Sequence, residues 1–443
     1  MSEDYGALFR AHWWAAVATL SRLLGDLETA EDAVQDACAL ALTKWPAEGA
    51  PANPRAWLIG VARHKAVDRM RRERRRADKE AEAVRDLGMR NLSSAGPHGQ
   101  PSNAGPGMRD PSGAWPGGEA QRPGLAGPEE AALAEDQLGL VFACCHPALD
   151  SAVRVALTLR SVCGLGTSEI AAAFLVPEPT MAQRLVRAKR KIRQAGISLR
   201  PPGPADMAER LGTVLRVVYL VFTQGHMAAA GEDLIRGDLC DQAVGLARAL
   251  AVLMPGEPEV TGLLALLLLT DARRGARIGA DGDLVLLADQ DRGRWDRAKI
   301  AEGDHLLEAA LRARRPGPYQ LHAAIAACHS CAATAEQTDW RQIAALYGQL
   351  VRYEPTPVIE ANRAVAVAMA DGPAAGLAIL DAAAVHPQLA RWPQFHIARA
   401  ELLRRTGRVA DALDAYRAAL RLDLPAAEHA FIEDRVEDLT ASR

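Results

Sequence analysis

Aromatic residues, long apolar runs and cysteines are all scarce in this chain of 443 residues. Phe, Trp and Tyr make up 5% of it, against 49% for hydrophobic residues as a whole, and the abundance of Ala and Leu favours helices. The most apolar run, residues 260–270, is well short of the roughly 20 residues of a membrane-spanning helix and predicts a buried core helix. Since no signal peptide is visible at the N-terminus either, we expect a cytoplasmic protein without membrane contact.

Seven cysteines do not make a disulfide framework in a chain of this size. Two groups resemble metal ligands, CCH at residues 144–146 and CHSC at residues 328–331, but a structural zinc site needs four ligands. Both groups lie in apolar stretches compatible with helices, which predicts buried, reduced cysteines and no metal or other cofactor. No nucleophile with a neighbouring base and no phosphate-binding glycine loop accompanies them, so an enzyme is disfavoured.

Two helices are predicted near the N-terminus, in a domain that we assign to residues 1–82. Thr29 followed by Asp32 resembles a helix-capping pair, and apolar residues recur after it at helical spacing. A proline-punctuated loop is predicted for residues 45–54. A second long helix is predicted from Arg55 to about Lys79.

Glycine and proline dominate the next segment, which we predict to be a flexible linker at residues 83–130. Nine Gly and seven Pro fall within residues 91–128, which leaves too little apolar surface to offset the entropy of ordering. Helices resume in two further domains, at residues 131–199 and 205–443. The predicted fold class is therefore all-α, with folded domains on either side of a tether.

Turn signals recur at a regular interval in the C-terminal domain, 33 and then 35 residues apart. These turns are Thr338-Asp339, Asp371-Gly372 and Thr406-Gly407. The interval resembles the period of about 34 residues of tetratricopeptide repeats, whose stacked helix pairs form concave binding surfaces. The C-terminal domain is accordingly predicted to consist of tetratricopeptide-like helical repeats.

A helix-turn-helix pattern occupies residues 166–193, in a chain whose net charge is only −3. On a helical wheel, the second helix has a buried face: Met181, Leu185, Ala188 and Ile192. Its polar and basic residues gather on another arc, about 120° wide. No Asp or Glu occurs from residue 181 to residue 200, whereas an ordinary solvated face would mix acids with bases. The pattern therefore favours DNA reading over a merely solvated charged face.

The predicted helix at residues 55–79 is also basic, with ten Lys or Arg against three acids. Taken alone, such a helix could equally lie on a membrane surface. Trp57 and His64 between its cations suit contact with unstacked bases. Two basic helices on opposite sides of a linker favour two separated contacts on one DNA duplex.

Several strings in the chain resemble one protein family. TAEDAVQDACALAL and NPRAWLIGVARHKAVDRMRR resemble region 2 of bacterial extracytoplasmic-function sigma factors, and residues 166–193 resemble their region 4. VFACCHPAL, QDRGRWD and GPYQLHAAIAACH resemble the subgroup with a long C-terminal helical-repeat extension. The resemblance covers nearly the whole chain except the linker. It implies an alternative sigma factor that binds core RNA polymerase and promoter DNA.

The resemblance also implies three sets of site residues. Docking on core RNA polymerase is assigned to an acidic helix face: Glu31, Asp32, Gln35 and Asp36. Recognition and opening of the −10 promoter element are assigned to Arg55, Trp57, Arg63, His64, Lys65, Arg69, Arg71 and Arg72. Recognition of the −35 element is assigned to Thr180, Gln183, Arg184, Arg187, Arg190 and Lys191. Many relatives have Asn where this chain has His64, and the linker is longer than usual.

Other functions compete with this interpretation. A helical-repeat regulator that binds DNA without replacing sigma would share the basic helices but bind duplex DNA tightly on its own. An enzyme would have to use QDRGRWD or the cysteine pair of residues 328 and 331; Asp289, Asp291 and Trp295 are better explained by a helix junction or a partner groove. The extension is expected to regulate activity by packing against region 2 or 4 beyond a Pro-rich hinge at residues 200–205. The resemblance implies a small DGPF-type protein as its partner.

Overall fold

Helices form the regular structure in the part of the chain that our computed structural model describes. That part comprises residues 5–90, 128–174, 176–226, 236–279, 285–422, 424 and 426–441, and it contains no β-strand. The chain divides into two compact units, residues 1–137 and 138–443. Most of the predicted linker, residues 91–127, lies outside the described residues.

Three helices make up most of the first unit: α1 (Tyr5–Leu24), α2 (Leu27–Glu48) and α3 (Pro54–Arg90). The cap of α2 is Asp26, whose side chain accepts hydrogen bonds from the backbone N–H of Thr29 at 3.0 Å and from its hydroxyl at 2.6 Å. The prediction that Thr29 caps this helix was therefore wrong. Asp26 is the preferred cap because its carboxylate accepts both bonds beside the positive end of the helix.

The helices that precede the predicted loop and the predicted linker both end later in the structure than the sequence predicts. The helix α2 continues through Pro46 to Glu48 and ends at Gly49, whose φ of +80° suits only glycine well. The helix α3 continues to Arg90 instead of ending near Lys79, so the first residues of the predicted linker are helical. Residues 80–90 contain two Ala, two Glu and two Arg, which are strong helix formers and favour continuation of the helix.

Aromatic contacts hold the end of α2 against α1 and α3. The ring of Trp45 is buried and lies 5.7 Å from Tyr5, 5.5 Å from Phe9 and 5.2 Å from Trp57, measured between ring centroids. Buried alanines line the helix interfaces, so the helices approach closely. Four aromatic rings thus meet where these three helices come together.

The first part of the second unit contains a helical motif and a five-helix bundle. Its helices are the end of α4 (Pro128–Cys144), α5 (Ser151–Ser161), α6 (Thr167–Ala173), α7 (Glu178–Gln194), α8 (Pro204–His226), α9 (Gly237–Leu253), α10 (Pro258–Asp271), α11 (Arg297–Arg312) and α12 (Pro318–Ser330). The leucine-rich helix α10 is buried on nearly every side and packs against α8, α9, α11 and α12. This confirms the prediction of a core helix at residues 260–270.

Helix pairs form the rest of the second unit. The helices are α13 (Trp340–Tyr353), α14 (Pro357–Asp371), α15 (Pro373–Ala383), α16 (Pro393–Arg405), α17 (Val409–Leu420) and α18 (Ala426–Ala441). Each predicted turn separates two packed helices: α12 from α13, α14 from α15, and α16 from α17. Gly372 and Gly407 end helices with positive φ values of 103° and 77°, so glycine is needed at both turns.

The link between the helical motif and the extension is packed. The helix α8 contacts α5, and the guanidinium of Arg210 on α8 donates to the carbonyl of Phe142 and lies 5.6 Å from the Phe142 ring centroid. Gly139 on α4 lies directly against the backbone of Leu199 and Arg200. The expected Pro-rich hinge is thus flanked by close contacts on both sides, because α8 covers an apolar face of α5.

All seven cysteines are free thiols. Cys144, Cys145, Cys163 and Cys240 are buried, as predicted for the first cysteine group. Cys331 is exposed, which corrects the prediction for the second group, because it lies at the end of α12 where the helix leaves the core. No group of three or more potential metal ligands occurs within the described residues. In the same residues, no helix is long and apolar enough to span a membrane.

The QDRGRWD string forms a junction between helices. Trp295 is buried, and the guanidinium carbon of Arg292 lies 4.3 Å from its ring centroid. Arg292 donates to the carbonyl oxygens of His329 and Ala332 at the end of α12, both at 2.8 Å. Asp291 accepts from the backbone N–H of Gly293 and shapes the turn. The string therefore joins the start of α11 to the end of α12.

Candidate nucleic-acid interface

The helical motif places one face of α7 in the core and the opposite face in solvent. Met181, Leu185, Ala188 and Ile192 are the buried residues of α7, as the helical wheel predicts. The shorter helix α6 packs against α7, and α5 packs against both. Pro177 precedes α7 and Pro179 lies in its first turn, where the missing N–H of proline costs no helical hydrogen bond.

Every residue predicted for the exposed face of α7 is exposed: Thr180, Gln183, Arg184, Arg187, Arg190 and Lys191. Glu178, in the first turn, is the single acidic residue of this helix. Lys191 donates to the carbonyl of Ala148, so it is partly held by the protein itself. The other side chains leave an exposed row of guanidinium and amide donors, the groups that pair with phosphates and with purine edges in the major groove.

Val186 lies beside this row and was not predicted as a site residue. Its surface is 52% exposed, although it is a large apolar residue. It lies one turn from Gln183 and from Arg190, at i+3 and i−4 spacing. An exposed apolar group at this position can contact the methyl group of thymine. Its i+3 spacing from Gln183 is the sequence signal that would have predicted Val186 as a site residue.

The basic residues of α3 do not form one face. Trp57, His64 and Arg71 are seven residues apart and form one stripe along the helix, with Lys65 and Arg72 on the adjacent stripe. The Nδ1–H of His64 donates to the carbonyl of Gly60 at 2.8 Å, so Nε2 is the ring nitrogen that points outward. Trp57 is half-buried against Trp45, which fixes the start of the stripe.

Three predicted residues of α3 lie away from that stripe. Arg69 forms an ion pair with Asp32 of α2, at 2.8 Å between nitrogen and oxygen. Arg55 is half-buried near His12, whose pKa is lowered by burial and by the Arg55 charge. Arg63 is exposed one position before His64, about 100° around the helix from it. The structure thus separates the predicted −10 residues into a stripe and outlying cations.

The acidic face of α2 is smaller than predicted. Glu31 is buried with 1% of its surface exposed, so it is not part of an exposed docking surface. It lies on the same helix face as Leu27 and Val34, which are also buried. Gln35 and Asp36 are exposed, and Asp32 lies beside them but is paired with Arg69. The exposed acidic face therefore consists of Asp32, Gln35 and Asp36.

Three families match separate parts of the chain. Residues 8–76 match the family described as Sigma-70 region 2, and residues 140–192 match Sigma-70, region 4. Residues 210–311 match a family of unknown function, DUF6596. The first match includes α2 and the part of α3 that carries the basic stripe. The second includes the whole motif formed by α5, α6 and most of α7.

One relative is similar over nearly the full length. The Uncharacterized protein R00370 of Rhizobium meliloti (strain 1021) is 41% identical to this chain over 431 residues, which is 96% of this chain and 93% of the relative. No solved structure matches the chain. The similarity therefore extends over nearly all of both chains.

Proposed function

The chain belongs to the sigma-70 family, as an extracytoplasmic-function sigma factor with a C-terminal extension, and we propose that it directs promoter-specific initiation through the surfaces described above. Sigma-70 regions 2 and 4 give it the role of a sigma factor, a protein that binds core RNA polymerase and promoter DNA. We propose specific residues for binding polymerase and for binding each promoter element, and a regulatory role for the extension.

The exposed face of α7 is the observation that carries the proposal. Its cationic and amide side chains are exposed, while Met181, Leu185, Ala188 and Ile192 of the same helix are buried in the second unit. In the proposed complex, Arg184 and Arg187 contact base edges and phosphates of the −35 element in the major groove. Gln183 and Val186 add adenine and thymine contacts. This helix belongs to the proposed region 4 domain, residues 131–199.

The stripe on α3 is proposed to bind the −10 element. Trp57 offers a flat surface on which an unstacked base can lie, and His64 and Arg71 follow it along the helix at intervals of two turns. Lys65 and Arg72 on the adjacent stripe neutralise phosphates of the opened strand. Arg69 is proposed to hold Asp32 in place, and so to belong to the polymerase contact. These residues fall in the proposed region 2 domain, residues 1–82.

Run-off transcription with purified core RNA polymerase tests the proposal. The protein is expected to produce promoter-dependent transcripts only when core polymerase is present, because region 4 alone offers few DNA contacts. Tight, sequence-specific binding of the free protein to duplex DNA, without promoter-dependent transcripts, would instead identify a DNA-binding regulator. Absence of both transcripts and core binding would reject the sigma role for this chain.

Replacing Asp36 by Lys is expected to weaken binding to core polymerase by about tenfold or more, because a charge at a protein interface becomes repulsive. Asp36 is exposed on α2 and is not a member of the Asp32–Arg69 ion pair. Fluorescence anisotropy of labelled protein with core polymerase measures the affinity. Asp414→Lys, the same charge change on α17, is the matched control and should bind like the wild type. Equal affinity of the two variants would remove α2 from the interface.

The extension is proposed to regulate activity through the framework of region 4. The polar residues of α7 are exposed within the described part of the second unit, whereas α8 packs against α5 of the same motif. A partner that binds the extension would therefore act on α7 through α8 and α5, without having to uncover the DNA-binding face. A small DGPF-type protein is the proposed partner of the extension.

A further inference from the structure

A group of cations meets at one end of the bundle in the extension. Arg273 follows the end of α10, Arg277 follows the short 3-10 turn Arg274–Ala276, and Arg292 lies in the turn before α11. His226 ends α8 and His329 lies in the last turn of α12. The charges of Arg273 and Arg277 act on His226, and those of Arg273 and Arg292 act on His329. Arg273 is thus an arginine whose charge acts on both histidines.

Arg277 and Arg292 have an explanation within the fold. Arg277 donates to the carbonyl oxygen of His226 at the end of α8, and Arg292 donates to the carbonyl oxygens of His329 and Ala332 at the end of α12. Cations commonly satisfy the free carbonyl groups at helix C-termini in this way. These two arginines therefore have partners, although each keeps further N–H donors.

Arg273 differs from these two arginines. Its Nε atom is buried and has no hydrogen-bond partner among the described residues, and Nδ1 of His226 is in the same condition. Burial and the charges of Arg277 and Arg292 lower the pKa of Arg273 to about 10. The nearby carboxylate of Asp271 is occupied by Arg274 and Lys299, at 2.7 Å each. Arg273 as a whole is half-buried, and a partly desolvated guanidinium without an anion is costly for the folded protein.

The two histidines add no further positive charge to the cluster. Burial and the neighbouring arginines lower the pKa of His226 to about 3 and that of His329 to about 4. Both rings are therefore neutral at pH 7. The ring of His226 stacks on Phe222 and the ring of His329 contacts Trp340, so neither is free to turn away. The cluster combines fixed cations with neutral polar rings.

Among the described residues, few carboxylates act on the cluster. Glu428 of α18 faces Arg277, but burial raises its pKa against the effect of the Arg277 charge, and it also accepts from Gln394 at 3.5 Å. Glu336 acts on Arg292 from the exposed surface. Neither acts on Arg273, whose pKa is shifted by burial and by cations alone. The charge of Arg273 therefore remains uncompensated within the described residues.

We propose that this cluster is a binding site for an oxyanion, the phosphate or carboxylate group of a small molecule, with Arg273 as the central ligand. Guanidinium groups bind such groups through two parallel N–H···O bonds, and the neutral imidazole of His226 can donate a further hydrogen bond. The site lies at the junction of α8, α10 and α12, and α8 packs against the DNA-binding motif. Binding would thus stabilise the helix that supports region 4.

Isothermal titration of the full chain with inorganic phosphate and with citrate, at ionic strength matched with sodium chloride, tests the site. Saturable binding of one ion per chain is expected for at least one of the two, and their comparison distinguishes phosphate from carboxylate ligands. Arg273→Met is expected to weaken that binding by about thirtyfold or more, as removal of a buried charge partner does. Arg273→Lys keeps the charge but loses the paired donors, and should bind with intermediate affinity.

Two controls locate the binding. Arg312→Met removes an exposed arginine of α11 and should leave the affinity unchanged. The double variant Arg184→Ala, Arg187→Ala should also bind normally, which separates this site from the DNA-binding face and from the proposed sigma role. Without anion, Arg273→Met should unfold at the same or a higher temperature, because it removes an uncompensated charge. No saturable binding of either ion, or wild-type affinity in both Arg273 variants, would overturn the proposal.

Discussion

Replacing Arg184 and Arg187 together by alanine is expected to reduce promoter-dependent transcription by about a hundredfold, because each base or phosphate contact contributes roughly 1–3 kcal/mol. Both side chains are exposed on the face of α7 opposite its buried residues, so their removal leaves the packing of the helix unchanged. Assembly with core polymerase should stay intact, because the proposed polymerase contacts lie on α2 and at Arg69 of α3. Run-off transcription and a separate core-binding assay measure the two effects.

A charge-matched control separates DNA reading from general electrostatics. Arg312→Ala with Arg421→Ala removes two exposed arginines from the extension and lowers the net charge equally. This variant should transcribe like the wild type. The dependence of DNA binding on salt should weaken by roughly two counterions only in the α7 variant. Similar transcription by both variants would show that α7 does not read the promoter.

Gly139→Ala is expected to destabilise the second unit by about 3 kcal/mol, at the upper end of overpacking effects. A Cβ at this position would lie 2.2 Å from the carbonyl oxygen of Leu199 and 2.9 Å from the backbone of Arg200. These are backbone atoms, so the clash cannot be relieved by rotating a side chain. The helix α4 would have to move away from the segment that leads into α8. Denaturant unfolding measures the change.

Gly245→Ala supplies the comparison for that result. Gly245 lies in the exposed part of α9, and a Cβ there meets nothing within 4 Å. Since alanine is the better helix former, this change should stabilise the protein by about 0.5–1 kcal/mol. The two glycine substitutions should therefore differ in sign. Stabilisation by both would mean that α4 does not lie against residues 199–200.

The exposed face of α7 was predictable because the spacing of apolar residues within this one helix indicates which side is buried. Four apolar residues at helical spacing determine which side is buried, and the cations must then be exposed. The repeat turns were predictable for a similar reason, since Gly372 and Gly407 occupy conformations that favour glycine. In both cases the information is local in sequence.

The remaining site features depend on contacts between distant residues. The pairing of Asp32 with Arg69 joins two predicted sites across 37 positions, and no local pattern indicates it. Glu31 looks like its acidic neighbours in the sequence, but it falls on the buried side of α2 because Leu27 and Val34 share that side. The isolation of Arg273 likewise becomes visible only when the helix ends are brought together.

The packing of α8 on α5 affects how the activity of a truncated protein is to be interpreted. Removing everything after residue 198 would strip the cover from the apolar side of α5 and delete the Arg210–Phe142 contact. Region 4 would lose part of its packing. Loss of transcription by the truncated protein would therefore indicate a damaged DNA-binding motif and not the loss of an activating domain. Point substitutions at Arg273 keep the packing of α8 on α5, so they test the role of the extension without damaging region 4.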